Sequence, residues 1–138
     1  MQDKANSKEY WDKRFRSLDW RKKGGNFQTI NHAKRYVPLL GIPKGFNGSI
    51  CDFGCAEGDA FKVYRKYFPE AKFIGVDFSE NAISNARERY GRYVNFIVGD
   101  EKCVPSSDII IASHVMEHLE NDKDVVSQLR IKCKRLFI

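Results

Sequence analysis

A chain of 138 residues and 16.0 kDa has room for one hydrophobic core and excludes two full domains. With 42% hydrophobic, 13% aromatic and 30% charged residues, enough apolar surface is available to offset the entropy of folding, which argues against a disordered chain. The formal charge of +6 is too modest to name a partner by itself, although Lys4, Lys8, Lys13, Arg14, Arg16, Arg21, Lys22 and Lys23 crowd the N-terminal arm. That cluster reads as a solvated face before it reads as a nucleic-acid patch. No apolar run approaches the roughly 20 residues needed to cross a bilayer and no export signal is visible, so a cytoplasmic chain with no membrane span is expected. Cys51, Cys55, Cys103 and Cys133 are accordingly read as reduced thiols, and no pair has zinc-knuckle spacing.

In chain order, residues 7–18 place Tyr10, Trp11, Phe15 and Leu18 on one face at helical spacing. Residues 27–40 repeat Ile30, Ala33, Val37 and Leu40 at intervals of three and four, until Pro38 disturbs the last turn. The turn-rich segment GIPKGFNG leads into SICDF, a short apolar strand over residues 49–53. From there strand and helix alternate: DAFKVYRKYF as helix, KFIGVD as strand 2, SENAISNARERY as a helix capped by Ser79, and YVNFIV as strand 3. Next come DIIIAS as strand 4, the short helical piece HVMEHL, the helix DKDVVSQLRIKC, and KRLFI as strand 5. This alternation predicts an α/β fold, a doubly wound, mostly parallel sheet with helices on both faces.

Ligands of such sheets sit beyond the carboxyl ends of the strands. Asp52 near the end of strand 1, Asp77 at the end of strand 2 and Asp100 after strand 3 recur one strand-helix unit apart. Gly54 and Gly58 bracket a tight loop that would let a nucleotide-like ligand approach the backbone. Asp52, Glu57 and Asp59 in and beside that loop would repel a pyrophosphate, which argues against a dinucleotide and for a nucleoside carrying a cationic group. Asp77 stands where a carboxylate can accept hydrogen bonds from both ribose hydroxyls.

Over residues 49–138 the chain resembles the class I S-adenosylmethionine-dependent methyltransferases. ICDFGCAEGDA is similar to their first motif, acid-x-Gly-x-Gly-x-Gly, with Ala56 in place of the middle glycine; IGVDFSENAI, FIVGDE and DIIIASHVMEHL are similar to the second, third and fourth. The resemblance implies a Rossmann-like methyltransferase fold with S-adenosyl-L-methionine as cofactor. It assigns Asp52, Gly54, Cys55, Ala56, Asp77, Phe78, Asp100, Glu101 and Ser113 to the cofactor. Asp77 would hold the ribose, Phe78 pack on the adenine and Asp100 face the adenine amino group. It also implies residues 1–48 as a helical cap and residues 49–138 as the cofactor-binding core, together one compact unit. The strand 6 and 7 hairpin of the family has no counterpart. A shortened enzyme, catalytically weak alone, is therefore expected, with strand 5 as an open edge available for self-association.

The expected reaction is methyl transfer to the oxygen or nitrogen of a small-molecule, lipid or sugar acceptor, with His114 as general base for an oxygen acceptor. An RNA 2′-O-methyltransferase, favoured by the basic arm, is the second reading, and a cofactor-binding pseudoenzyme or partner subunit the third. His114, Glu117 and His118 form H-x-x-E-H, similar to the E-x-x-E-H of metal-dependent O-methyltransferases, and the spacing would put them near one helix face. With no fourth ligand identifiable, no metal is assigned.

Overall fold

The computed structural model describes residues 4–138. Helix α1 (Lys8–Arg16) opens on Ser7, whose hydroxyl accepts the Tyr10 N–H at 3.1 Å, and buries Phe15. A left-handed residue, Leu18, turns the chain into the single-turn helix α2 (Asp19–Lys22), which the apolar periodicity did not announce. Helix α3 (Gly25–Tyr36) is shorter at its C-terminal end than the sequence pattern suggested. It gives way to a 3-10 turn over Val37–Leu39 because Pro38 has no N–H to continue the α-helical ladder.

Five parallel strands follow: β1 (Ser49–Phe53), β2 (Lys72–Asp77), β3 (Val94–Val98), β4 (Ser107–Ile111) and β5 (Cys133–Phe137), in the order β3-β2-β1-β4-β5. Helices α4 (Phe61–Tyr67), α5 (Glu80–Tyr90) and α6 (Asp122–Arg130) make the crossovers. Right-handed crossovers running outward in opposite directions from β1 and β4 must place their helices on opposite faces. Accordingly Ile50, Phe73, Phe96 and Ile109 pack with α3, α4 and α5, whereas Cys51, Phe53, Val76 and Ile110 pack with Val125 and Leu129 of α6.

Strand alternation fixes where the first aspartate points. Ile50 belongs to the α3/α4 face, so Asp52, two residues on, lies on that same face and meets Tyr64 of α4. Helices α1 and α2 dock through Phe15 and Trp20, which pack with Ala82 of α5 and against Ala56. Among the described residues no helix is long and apolar enough to cross a membrane.

Candidate functional site

Between β1 and β4 the winding of the sheet reverses, and the crevice that this leaves at the carboxyl ends is a cleft of about 310 Å³. Eight of the ten residues expected to bind cofactor or act as base border it, namely Asp52, Gly54, Cys55, Ala56, Asp77, Phe78, Ser113 and His114, and Glu117 and His118 of the H-x-x-E-H segment line it as well. Asp100 and Glu101 lie outside it. Asp100 is exposed, and its carboxylate accepts the Lys102 N–H at 2.9 Å, capping the 3-10 turn Glu101–Cys103.

The loop after β1 is bound to β2 before any ligand arrives. Gly54 and Cys55 donate their N–H groups to the Val76 carbonyl at 2.7 and 3.1 Å. Asp77 completes the link, accepting the Ala56 N–H at 2.9 Å on one oxygen and the Ser79 N–H at 2.9 Å on the other. Each oxygen keeps a lone pair free for a ligand hydroxyl. Burial raises the Asp77 carboxyl to about 6, against the pull of those two N–H groups. Asp52 is raised further, to about 7, by burial and by the charge of Asp77, with only the Tyr64 hydroxyl at 3.1 Å in opposition. Among the described residues no Lys or Arg lines the cleft, so two buried acids stand there without a permanent cation.

Glu57 and Asp59, expected from the sequence to present charge to the ligand, are turned away from it. Glu57 is fully buried, accepting from Arg21 Nε at 2.9 Å, Asn85 Nδ2 at 2.9 Å and Arg89 Nη1 at 2.5 Å. Asp59 accepts from Arg21 Nη2 at 3.2 Å and from the Tyr90 hydroxyl at 2.6 Å. Both acids are spent on a network joining α2, the loop and α5, and neither borders the cleft. A second polar clasp has Asp12 of α1 accepting from the Ser79 hydroxyl at 2.6 Å and from Asn81 Nδ2 at 2.8 Å. Part of the basic arm is thus turned inward.

His114, Glu117 and His118 do not share a helix face. His114 adopts a left-handed backbone with φ +55°, and only Met116–His118 form a 3-10 turn. Glu117 Oε1 stands 3.5 Å from His114 Nδ1 and 4.0 Å from His118 Nε2. The His114 ring stacks on His32 of α3, centroids 4.3 Å apart, and the His118 ring meets Trp11 at 5.3 Å. Among the described residues no group of three or more His, Cys, Asp or Glu side chains is arranged to hold a metal ion. His32, Tyr36, Trp11, Phe15 and Trp20, none of them expected in the site from the sequence, also line it. They arrive from helices before β1, and helical periodicity marked them only as an apolar stripe or not at all.

The methyltransferase domain family matches residues 51–135. The chain belongs to that family. The class I S-adenosylmethionine-dependent architecture expected from the four motifs therefore holds. This methyltransferase domain is 28% identical over 97 residues to trans-aconitate 2-methyltransferase of Rhodopseudomonas palustris, an alignment covering 66% of the chain and 38% of the relative. It is 31% identical over 90 residues to malonyl-[acyl-carrier protein] O-methyltransferase of Neorickettsia risticii, covering 64% and 36%. The chain thus spans well under half the length of these relatives. The plantazolicin methyltransferase BpumL, solved in complex with S-adenosylhomocysteine, superposes with a TM-score of 0.69 at 26% identity, covering 88% of this chain and 49% of that one. A methyltransferase solved with the Haloferax volcanii Trm112 activator shares the fold, with a TM-score of 0.70 at 21% identity.

Within the methyltransferase domain, backbone conformation accounts for the glycine pattern of the first motif. Gly54 has φ +75°, and a Cβ there would lie 2.2 Å from Val115 of the loop after β4. Gly58 has φ +79° and lies under the Phe96 ring. Ala56, where the family motif has glycine, is also left-handed at φ +50°, a conformation that costs an alanine roughly 1 kcal/mol. It is held there by its own N–H bond to Asp77.

Proposed function

We propose that this chain binds S-adenosylmethionine in the cleft above β1, β2 and β4 and forms the cofactor-binding part of an enzyme that methylates a small-molecule acceptor. The observation that carries the reading is the Asp77 carboxylate, buried at the end of β2, fixed by two backbone N–H groups and open to the cleft. It is preorganised to accept from both hydroxyls of a ribose, so little ordering cost remains at binding. Phe78, the next residue, also lines the cleft and is the aromatic side chain assigned to the adenine. Asp52 and Asp77, buried without a cation, fit a ligand that brings positive charge and disfavour a pyrophosphate.

When bound, the cofactor would supply a methyl group on a sulfonium, for in-line transfer to the acceptor with the neutral thioether as leaving group. The chain's own residues then have three tasks. Asp77, Phe78 and the Gly54–Ala56 loop orient the nucleoside, while Trp11, Phe15 and Trp20 cover the cleft and exclude water. His114, at the rim beyond β4, takes the proton from a hydroxyl acceptor. A nitrogen acceptor would arrive as the free amine and need no such base. The names of the relatives, which give trans-aconitate and malonyl-[acyl-carrier protein] as acceptors, support a small-molecule acceptor over RNA. Titration calorimetry of the purified chain with S-adenosylhomocysteine and with NADH tests the reading. Binding of the first and not the second is expected, and the reverse preference would overturn it.

A further inference from the structure

Three side chains from three different elements form a hydrogen-bonded line running from the floor of the cleft to its wall. Tyr64 of α4 donates its hydroxyl to Asp52 Oδ2 at 3.1 Å, and the Tyr36 hydroxyl of α3 lies 2.5 Å from that of Tyr64. Tyr36 borders the cleft, and its oxygen also interacts with the Ser113 hydroxyl beyond β4. Each phenol has a single hydrogen to donate. If Tyr64 gives its hydrogen to Asp52, it can only accept from Tyr36. Tyr36 has then given its hydrogen inward, and its oxygen can only accept from the cleft side.

We infer that Tyr36 is a ligand-binding residue whose hydrogen-bond polarity is set through Tyr64 by the ionisation of Asp52, and that it receives the ammonium of the cofactor's amino-acid portion. The inference rests on the cofactor reading above. With the ribose on Asp77 at the end of β2, the far end of the ligand crosses β1 toward β4, a span of roughly 10 Å across two strand spacings. The Tyr36 oxygen and Ser113 stand at that far side. An ammonium has donors only, and an oxygen that can only accept is its complement.

Protonation of Asp52 reverses the line. A carboxyl that carries a hydrogen can donate it to Tyr64, Tyr64 then donates to Tyr36, and Tyr36 presents a hydrogen to the cleft where the ammonium needs an acceptor. The ionisable groups facing Asp52 are Tyr64 and Tyr36 from the helices, Asp77 from β2, and Cys51 and Cys55 from its own strand and loop; none is a cation. Only the Tyr64 hydroxyl favours the charged form of the carboxylate, and its titration near neutrality falls where the reversal can occur.

The test compares S-adenosylhomocysteine with 5′-methylthioadenosine, which has the nucleoside but no amino-acid portion, by calorimetry on the wild type and on Tyr36→Phe between about pH 6 and pH 8. Near pH 8, Tyr36→Phe should bind S-adenosylhomocysteine about tenfold more weakly and methylthioadenosine as the wild type does. In the wild type the ratio of the two affinities should fall as the pH is lowered, and in Tyr36→Phe it should stay flat. Unchanged S-adenosylhomocysteine affinity in Tyr36→Phe, equal losses for both ligands, or a wild-type ratio independent of pH would each overturn the inference. A wild type that binds neither ligand would instead remove the cofactor reading on which it rests. Should Tyr64→Phe fold, it should reproduce the flat ratio with Tyr36 intact, and a wild-type profile in that variant would count against the relay.

Discussion

The carboxylate of Asp77 closes on the backbone N–H of Ala56 at 2.9 Å, joining the end of β2 to the loop that leaves β1. One side chain thereby fixes a loop conformation that the alanine would otherwise resist, and remains available to a ligand. Removing it should be felt twice.

Asp77→Ala is expected to weaken S-adenosylhomocysteine by about 1.5 to 3 kcal/mol through lost charge-assisted hydrogen bonds to the ribose. Asp77→Asn, which keeps one acceptor oxygen, should lose less. Calorimetry on the two variants checks the order, and equal affinity in wild type and Asp77→Ala would remove Asp77 from the site.

The free protein should be most stable in mildly acidic solution. Asp52 and Asp77 have native pKa values raised by burial to about 7 and about 6, against 3.8 for an ordinary aspartate. Between those values the native state holds protons that the unfolded chain has released, so each group lowers stability as pH rises, at roughly 1.4 kcal/mol per unit across its window. Glu57 acts in the opposite sense. Burial pushes its carboxyl up, but hydrogen bonds from Asn85, Arg21 and Arg89 more than offset this and hold it below the usual range. Its contribution is present above the unfolded value of 4.5 and is lost as pH falls through the lower native value. Urea melts from pH 4 to pH 8 should show the decline toward pH 7, and Asp52→Asn should flatten part of it.

Arg21→Met should cost about 1 to 3 kcal/mol, because Glu57 and Asp59 stay buried with one cation fewer. Hydrogen exchange locates the loss: amides of α1 and α2 should lose protection while those of β1, β2 and β4 keep theirs. Uniform loss across the sheet would mean that the network supports the core rather than the docking of the helices.

For an oxygen acceptor, His114→Ala should lower turnover about a hundredfold while leaving cofactor affinity nearly intact. Rate and cofactor affinity falling together would give His114 a binding role in place of a proton-accepting one.

What could be read from the sequence was what depends on local pattern. The β/α alternation, Ser79 as a cap and the aspartates closing β1 and β2 follow from periods of two and 3.6 and from strand termination, and the structure places them as expected. What escaped depends on chain segments that meet only in three dimensions. Nothing near Glu57 in sequence shows that Arg21 and Arg89 neutralise it, so an acid in a loop was read as one facing the ligand. His32 and Tyr36 lie on α3 among residues that read as packing, and only the position of α3 beside the loop after β4 makes them part of the cleft. The His114–His118 segment differs for another reason: helical spacing predicts one shared helix face, whereas His114 is left-handed and only Met116–His118 form a 3-10 turn.

The two polar clasps of the N-terminal helices also constrain the order in which the molecule can assemble. Asp12 waits for Ser79, 67 residues later, and Arg21 for Glu57, 36 residues later. During synthesis these helices emerge before the surface that their clasps need, and α1 is too short to hold itself together in water. They can settle only after β1, β2 and the start of α5 have formed the surface that receives them. Helices made before β1 are therefore put in place after β2, and the cleft acquires its outer wall late in folding.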